Sequence, residues 1–224
     1  MTLKDPILFR LLGIGGWPVQ IKLSILFLAA FLVHFNGTVA DVLAEMVVLL
    51  LLFLALYLHG LGQALAARLY GVPVRQITLS GGISTCDAEP TQPSVQMTIL
   101  AMGPLTNLTL WAVMTLIVSV LPQGGLAWAL NAFAMVNLYL AALSLIPMRP
   151  LPGGALLQLS LSPALPQVTA DRVVAVTGLI CALAWIPAML LSYMLLGLLL
   201  FVLPAVPTLW RMLHLNRAMR LREG

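Results

Sequence analysis

Residues 56–71 decide the fold: they read LYLHGLGQALAARLYG and place polar side chains inside an apolar run. His59 and Gln63 are four residues apart, so a helix presents them on one face. Gly60 and Gly62, which have no side chains, make the helix thinner between His59 and Gln63. A histidine inside a membrane span is costly. The pair is therefore either a functional site or a polar contact, made mutually or with a neighbouring helix.

Composition supports the membrane interpretation. The chain has 224 residues, of which 61% are hydrophobic and only 8% are charged, and its mean hydropathy is +1.05. Soluble domains carry about 25% charged residues, so this chain has too few to cover a water-facing surface. It is predicted to be an integral multi-pass membrane protein. Its composition excludes an ordinary nucleic-acid-binding protein, and the two lone cysteines, Cys86 and Cys181, exclude a disulfide framework.

Stretches without charged residues predict where the chain crosses the membrane. A helical crossing needs about 20 apolar residues. Residues 150–170 hold too many prolines and glycines for a spanning helix. The last stretch, 173–210, predicts a helical hairpin turning near 187–192, with one broken helix as the alternative. The remaining predicted helices fall within 23–40, 46–67, 95–121 and 126–146.

Basic residues set the predicted orientation. All 11 lysines and arginines fall on one side of a six-helix arrangement, and that side is expected to be cytoplasmic. Both termini are then cytoplasmic, and the expected location is a bacterial cytoplasmic membrane. The basic tail, 210–224, is expected to lie there too.

Two segments predict extended backbone beside the helices. Residues 74–85, VRQITLSGGIST, alternate and then reach a Gly-Gly pair, which is typical of a strand or hairpin. Residues 13–24, GIGGWPVQIKLS, are a second candidate. Together they predict a small β-hairpin or sheet at the cytoplasmic boundary of an otherwise all-α polytopic protein of about six transmembrane helices. The predicted organisation is one membrane domain over 1–224, divided into an extended segment 1–22, a core 23–157, a helical hairpin 173–209 and the tail 210–224.

Four segments of the core resemble the site-2 protease family of intramembrane zinc metalloproteases. The resemblance runs from about Gly13 to Leu157. Its segments are WPVQIKLS at 17–24, HGLGQALAARLYGVPVRQITLSGG at 59–82, AMGPLTNLTL at 101–110 and NLYLAALSLIPMRPLPGG at 137–154.

The resemblance implies a metal site whose ligands this chain has largely replaced. In the family, an H-E-x-x-H helix and a later aspartate hold zinc with one open position, and the glutamate is the general base. His59 matches the first histidine. Gly60 occupies the position of the general base, Gln63 the position of the second histidine, and Pro152 the position of the aspartate. One imidazole is too few ligands for zinc, so the expectation is no bound metal, no cofactor and no catalytic residue.

The corresponding functional expectation is a catalytically inactive relative, a pseudoprotease rather than an enzyme. It is expected to bind or assemble with other membrane proteins or transmembrane segments within the lipid bilayer, and not with nucleic acid. The β-hairpin resembles the family element that pairs with an extended substrate by strand addition. The candidate binding cleft comprises His59, Gln63, Ile77, Leu79, Gly81, Gly82, Asn107, Asn137, Pro152 and Gly153.

Two alternatives remain open from the sequence. The first is an active intramembrane zinc metalloprotease with rearranged ligands, in which Cys86, Asp87 or Glu89 joins His59. The second is a structural or pigment-associated subunit of a larger membrane complex, with His59 or His34 as an axial ligand.

Overall fold

The computed structural model describes residues 5–33, 37–149 and 151–196. Backbone contacts divide the chain into two compact units, Met1–Ala142 and Leu143–Gly224. The organisation into one membrane domain over 1–224 stays a prediction.

Helices dominate the first unit. Helix α1 spans Ser24–Leu32, α2 spans Val39–Leu69, α3 spans Pro93–Val120 and α4, which ends in the second unit, spans Gly125–Leu145. Helix α2 begins with a capping box, in which Thr38 Oγ1 accepts from Asp41 N and Asp41 Oδ2 accepts from Thr38 N. Proline at the first position starts α3 without losing a hydrogen bond. The predicted helices over 95–121 and 126–146 are confirmed.

The second unit contains two helices. Helix α5 spans Pro152–Leu161, too short to cross a membrane, and α6 spans Gln167–Leu196. The turn predicted near 187–192 is wrong, because α6 continues through Pro187. Proline is tolerated inside membrane helices when neighbouring groups satisfy the freed carbonyl. The rest of the predicted hairpin and the tail 210–224 lie outside the described residues.

Among the described residues, four helices are long and apolar enough to cross a membrane: α2, α3, α4 and the Gln167–Trp185 part of α6. The protein is therefore an integral membrane protein in contact with the lipid bilayer. The nine residues of α1 fall short of a span, so six crossings are not established.

A four-stranded sheet completes the first unit and confirms the predicted extended segments. Its order is β1 (Ile7–Leu12), β2 (Pro18–Lys22), β3 (Val74–Ser80) and β4 (Ile83–Ala88). The outer pairs are antiparallel, whereas β2 and β3 are parallel with Val19 opposite Ile77. Strands β1 and β4 form the two edges.

Small residues bring α2 close to both the sheet and α3. A methyl group on Gly62 would overlap Thr106 of α3, and one on Gly103 of α3 would overlap the His59 ring. Close approach through small residues is typical of helix packing in membranes. The second half of α2 therefore lies between α3 and the strands β3 and β4, and this layer contains the candidate site.

Candidate functional site

His59 is buried at the contact between α2 and α3, with 3% of its surface exposed. Its imidazole lies directly against the backbone of Gly103, where any side chain would collide with the ring. His59 Nε2 is 3.5 Å from Gln63 Nε2, so an amide N–H faces this ring nitrogen. A metal on this side of the ring would have to displace the Gln63 amide.

Gln63 connects three elements through its amide. Its Oε1 accepts a hydrogen bond from Cys86 N of β4 at 3.1 Å, and its Nε2 donates to Leu100 O of α3 at 3.4 Å. In a regular helix Leu100 O would accept from the residue four positions later, but that residue is Pro104, which has no N–H. Gln63 therefore satisfies a carbonyl that Pro104 leaves free. The polar contact with a neighbouring helix is the role that the structure shows for this side chain.

Gly60 lies where a side chain does not fit. A Cβ built there would be 2.5 Å from Ser84 Oγ and 2.6 Å from Ile77 Cγ2. A glutamate at this position would collide with strands β3 and β4 in their present place. The absence of a general base at Gly60 is thus coupled to a sheet that packs directly on the helix.

Two asparagines are fully buried and incompletely bonded. Neither polar side-chain atom of Asn107 on α3 has a partner among the described residues. Asn137 Nδ2 of α4 donates to Phe133 O at 2.8 Å, whereas its Oδ1 has no partner in that part of the chain. A buried polar group without a partner costs about 1–3 kcal/mol. Asn107 lies one helical turn after Gly103, on the same face, and remains a candidate ligand-binding residue.

The predicted cleft residues on the β3–β4 hairpin occupy structural positions. Ile77 and Leu79 are buried, and β3 is paired on both sides, so their backbone groups are not available to an added strand. Gly81 N donates to Ser24 Oγ at 2.9 Å, and Gly82 has a φ of +88°, which glycine adopts readily. Only the β4 side of this hairpin is an edge.

The last two cleft positions belong to the second unit. Pro152 and Gly153 are buried at the start of α5. Gly153 packs against the main-chain carbonyls of Leu145 and Ile146, so it has no room for a side chain. Pro152 offers no side-chain donor atom, in contrast to the aspartate that the resemblance implies.

The residues of this site do not fit zinc. Among residues 5–33, 37–149 and 151–196, no group of three or more His, Cys, Asp or Glu side chains is placed to hold a metal. Burial and the nearby Asp87 carboxylate raise the pKa of the Cys86 thiol to about 12, so it is not a ready thiolate ligand. Glu89 forms an exposed ion pair with Arg75 at 3.6 Å. The rearranged ligand set of His59 with Cys86, Asp87 or Glu89 is not assembled.

Pigment ligation finds no support at His59. An axial ligand needs open space beside its ring nitrogen for a macrocycle, and Gly103 and Gln63 occupy that side. His34 lies outside the described residues.

Sequence reasoning did not find two of the site's neighbours. Ser84 is buried next to Gly60, and its hydroxyl has no partner among the described residues. The second neighbour is the Leu100 carbonyl, which the sequence could have indicated. A proline inside a predicted helix leaves the carbonyl four residues before it without its usual donor.

Comparison with known proteins identifies relatives in both sequence and structure. No protein-family model matches the chain. It is 26% identical over 186 residues to a zinc metalloprotease of Methanocaldococcus jannaschii, covering 82% of this chain and 54% of that protein. It is 34% identical over 112 residues to a Synechocystis protein named as a zinc metalloprotease, covering 49% of this chain and 30% of that protein. Rip3 of Mycobacterium tuberculosis, also named so, is 33% identical over 117 residues, covering 48% of this chain and 29% of that protein.

A solved structure extends the likeness to the fold. The site-2 protease from Methanocaldococcus jannaschii superimposes with a TM-score of 0.66 and 23% identity, over 94% of both chains. The chain spans about half or less of the length of the curated relatives, between 29% and 54%.

These findings correct three expectations from the sequence. The catalytically inactive binding partner, the assignment as a non-enzyme and the absence of a cofactor are contradicted, because the relatives are named zinc metalloproteases and the fold is that of a site-2 protease. The metalloprotease alternative is the better supported interpretation. Its proposed ligands, however, are not brought together in the described part of the chain.

Proposed function

We propose that the chain is a member of the site-2 protease family and an intramembrane peptidase that hydrolyses polypeptide segments within the bilayer. The observation that carries the proposal is its relation to a zinc metalloprotease over 82% of its length. The shared fold supports the same conclusion. Its protein partners are then its substrates: transmembrane segments of other membrane proteins.

The substrate is proposed to bind as an extended strand along β4. Cys86 N points away from β3, since it donates to Gln63 Oε1. Ser84, two residues earlier, presents its backbone groups to the same edge, because strand residues alternate. Strand addition uses the backbone groups of an edge strand and tolerates many side chains. Because Cys86 N is already bonded to Gln63 Oε1, a bound strand would replace Gln63 as its acceptor. The buried, unpartnered amide of Asn107 is proposed to hydrogen-bond the bound peptide.

The proposal does not extend to the metal ligands. When bound, zinc supplies the family with a polarised water for peptide hydrolysis. His59, Gly60 and Gln63 do not form such a site, for the steric and hydrogen-bonding reasons given above. No reaction step is therefore assigned to a metal held by these residues.

The membrane topology is part of the proposal. Six crossings with both termini in the cytoplasm of a bacterium agree with the single-sided distribution of the 11 basic residues. Cysteines placed at each end of a cysteine-free variant test it in intact cells. Labelling by a membrane-impermeant maleimide before lysis would contradict cytoplasmic termini.

Reconstituted proteolysis tests the proposed activity. The purified chain is placed in liposomes with a tagged single-span substrate, and products are followed with and without added zinc or chelator. Cleavage is expected, with a lower rate in Asn107→Ala and an unchanged rate in Thr109→Ala, an exposed position on the same helix. An intact substrate, cleaved in parallel by the M. jannaschii site-2 protease, would contradict the activity.

Disulfide crosslinking tests the proposed edge separately. In a background without Cys86 and Cys181, a substrate cysteine is expected to crosslink to Thr85→Cys on β4. The matched control is Leu12→Cys on the opposite edge, where 79% of the side chain is exposed. Equal or stronger crosslinking at Leu12 would place the substrate on the wrong edge and contradict strand addition to β4.

A further inference from the structure

A groove of about 380 Å³ opens at the carboxyl end of α2, away from the His59 site. It is lined by Gly15 and Trp17 of the loop between β1 and β2, by Arg68 in the last turn of α2, and by residues 71–74. Both walls are fixed, because Ile14 N donates to Tyr57 Oη of α2 at 2.8 Å and β2 pairs with β3. Hydrogen bonds and strand pairing within the first unit thus hold the walls of the groove in place.

Arg68 supplies the charge of this groove. The other described residues that line it are glycine, valine, proline and tryptophan, with no carboxylate among them. The helix-end carbonyls of Ala66, Ala67 and Arg68 already accept from the backbone of residues 70–72. Arg68 is therefore the charged side chain that lines the groove, and the forked donors of its guanidinium match a phosphate.

Exposed apolar side chains lie on the two elements that carry the groove. Phe9, Leu12 and Ile14 on the β1–β2 hairpin are 59%, 79% and 69% exposed, and Leu69 beside Arg68 is 85% exposed. A free anion in water would have no use for this apolar border, whereas acyl chains would cover it. Trp17 adds an indole ring, the side chain enriched where membrane meets water.

The length of α2 bears on the depth of the groove in the bilayer. The 31 residues of α2 extend about 46 Å, whereas the hydrocarbon core is about 30 Å thick. Arg68 is the first charged residue after the charge-free run 46–67, which alone extends about 33 Å, so we expect the final turn of α2 in the headgroup region. Charge, apolar border and depth all match one class of occupant.

We propose that this groove binds an anionic phospholipid, with the lipid phosphate on Arg68 and its acyl chains along the apolar hairpin. The site is independent of peptidase activity, so it stands whether or not the chain cleaves a substrate. It gives the β1–β2 hairpin a role as a lipid-facing wall.

Quenching of Trp17 tests the proposal at the groove itself. The full chain, with its four other tryptophans replaced by Phe, is placed in nanodiscs containing brominated phosphatidylglycerol or brominated phosphatidylcholine. Phosphatidylglycerol is expected to quench Trp17 at an about fivefold lower mole fraction, the effect of roughly one basic residue on an anionic lipid. Arg68→Gln is expected to abolish this preference, and Arg75→Gln, an exposed arginine on β3, to retain it.

Several results would overturn the proposal. Equal quenching by the two lipids would contradict it, and so would a preference for phosphatidylglycerol that persists in Arg68→Gln. No quenching by either lipid would also contradict it and would indicate that a protein segment covers the groove. Loss of the preference on adding millimolar inorganic phosphate would assign the site to a soluble anion. If the tryptophan replacements prevent folding, lipid mass spectrometry on the delipidated native chain decides, with less retained phosphatidylglycerol expected for Arg68→Gln than for Arg75→Gln.

Discussion

Replacing Gln63 by leucine tests whether one side chain joins α2 to both α3 and the sheet. Leucine keeps a similar volume but loses both hydrogen bonds of the amide. Cys86 N and Leu100 O then lose their partner at 3.1 Å and 3.4 Å. A fully buried backbone group that loses its partner costs about 1–3 kcal/mol, and each of these part-buried bonds is placed toward the low end of that range. Gln63→Leu is therefore expected to lower the free energy of unfolding by about 2–3 kcal/mol.

A second substitution isolates the contact with α3. Pro104→Ala restores an N–H four residues after Leu100, so that its carbonyl regains a helical partner. In this background Gln63→Leu is expected to cost about 0.5–1 kcal/mol less than in the native chain, within the range measured for hydrogen bonds between membrane helices. This difference in cost reports on the Leu100 carbonyl, because Pro104→Ala does not alter the hydrogen bond from Cys86 N to Gln63.

Unfolding of the four proteins in mixed detergent micelles gives the complete double-mutant cycle. Circular dichroism follows the loss of helix as the denaturing detergent increases. Strictly additive effects of Gln63→Leu and Pro104→Ala would refute the reasoning that Gln63 serves the carbonyl freed by proline. A cost of Gln63→Leu below about 0.5 kcal/mol would refute the importance of both bonds.

The remaining predictions concern packing, thiol chemistry and the second unit. Gly60→Ala is expected to lower the free energy of unfolding by about 1–3 kcal/mol, because the added methyl group overlaps the sheet. The control, Gly124→Ala, has open space around it and is expected to change the free energy of unfolding by less than about 0.5 kcal/mol. Equal effects of the two substitutions would contradict the close approach of the sheet to Gly60. Because its pKa is raised from 9.0 to about 12, Cys86 carries about a thousandfold less thiolate at pH 8 than an ordinary thiol. Its labelling by iodoacetamide is therefore expected to be slow and to rise about tenfold per pH unit up to about pH 11. Asp87→Asn removes a nearby negative charge and is expected to make labelling faster. Labelling at the rate of a free thiol would show that Cys86 is not shielded. Gln158 connects Arg149 and Asp171 of the second unit through hydrogen bonds. Gln158→Leu is therefore expected to speed amide hydrogen exchange in α5 severalfold. Unchanged exchange would show that these hydrogen bonds contribute no stability.

The described membrane helices were predictable because their limits depend on local composition. Charge-free runs bounded by breakers gave α3 and α4 to within about two residues, and the alternation at 74–85 gave β3 and the start of β4. The turn at 187–192 was wrong for a physical reason. Proline is a strong helix breaker in water, but the helices of membrane proteins tolerate it, and α6 continues through Pro187.

The contacts of the candidate site were beyond local reasoning. Gln63 reaches backbone atoms 23 and 37 residues away, and no sequence pattern specifies which strand or carbonyl will arrive there. The packing of Gly60 against Ser84 depends likewise on the docking of the whole sheet. The motif comparison led to the same proteins that the chain resembles in sequence and fold, but the three changed positions led to the wrong expectation of an inactive protein.

Hydrolysis carried out in ¹⁸O-labelled water tests the central claim most directly. The reconstituted chain is incubated with a single-span substrate, and the products are weighed by mass spectrometry. An intramembrane peptidase is expected to yield a new carboxyl terminus within the membrane segment carrying one ¹⁸O atom. A substrate that stays intact, or is cut only in its water-exposed tails, would contradict the account.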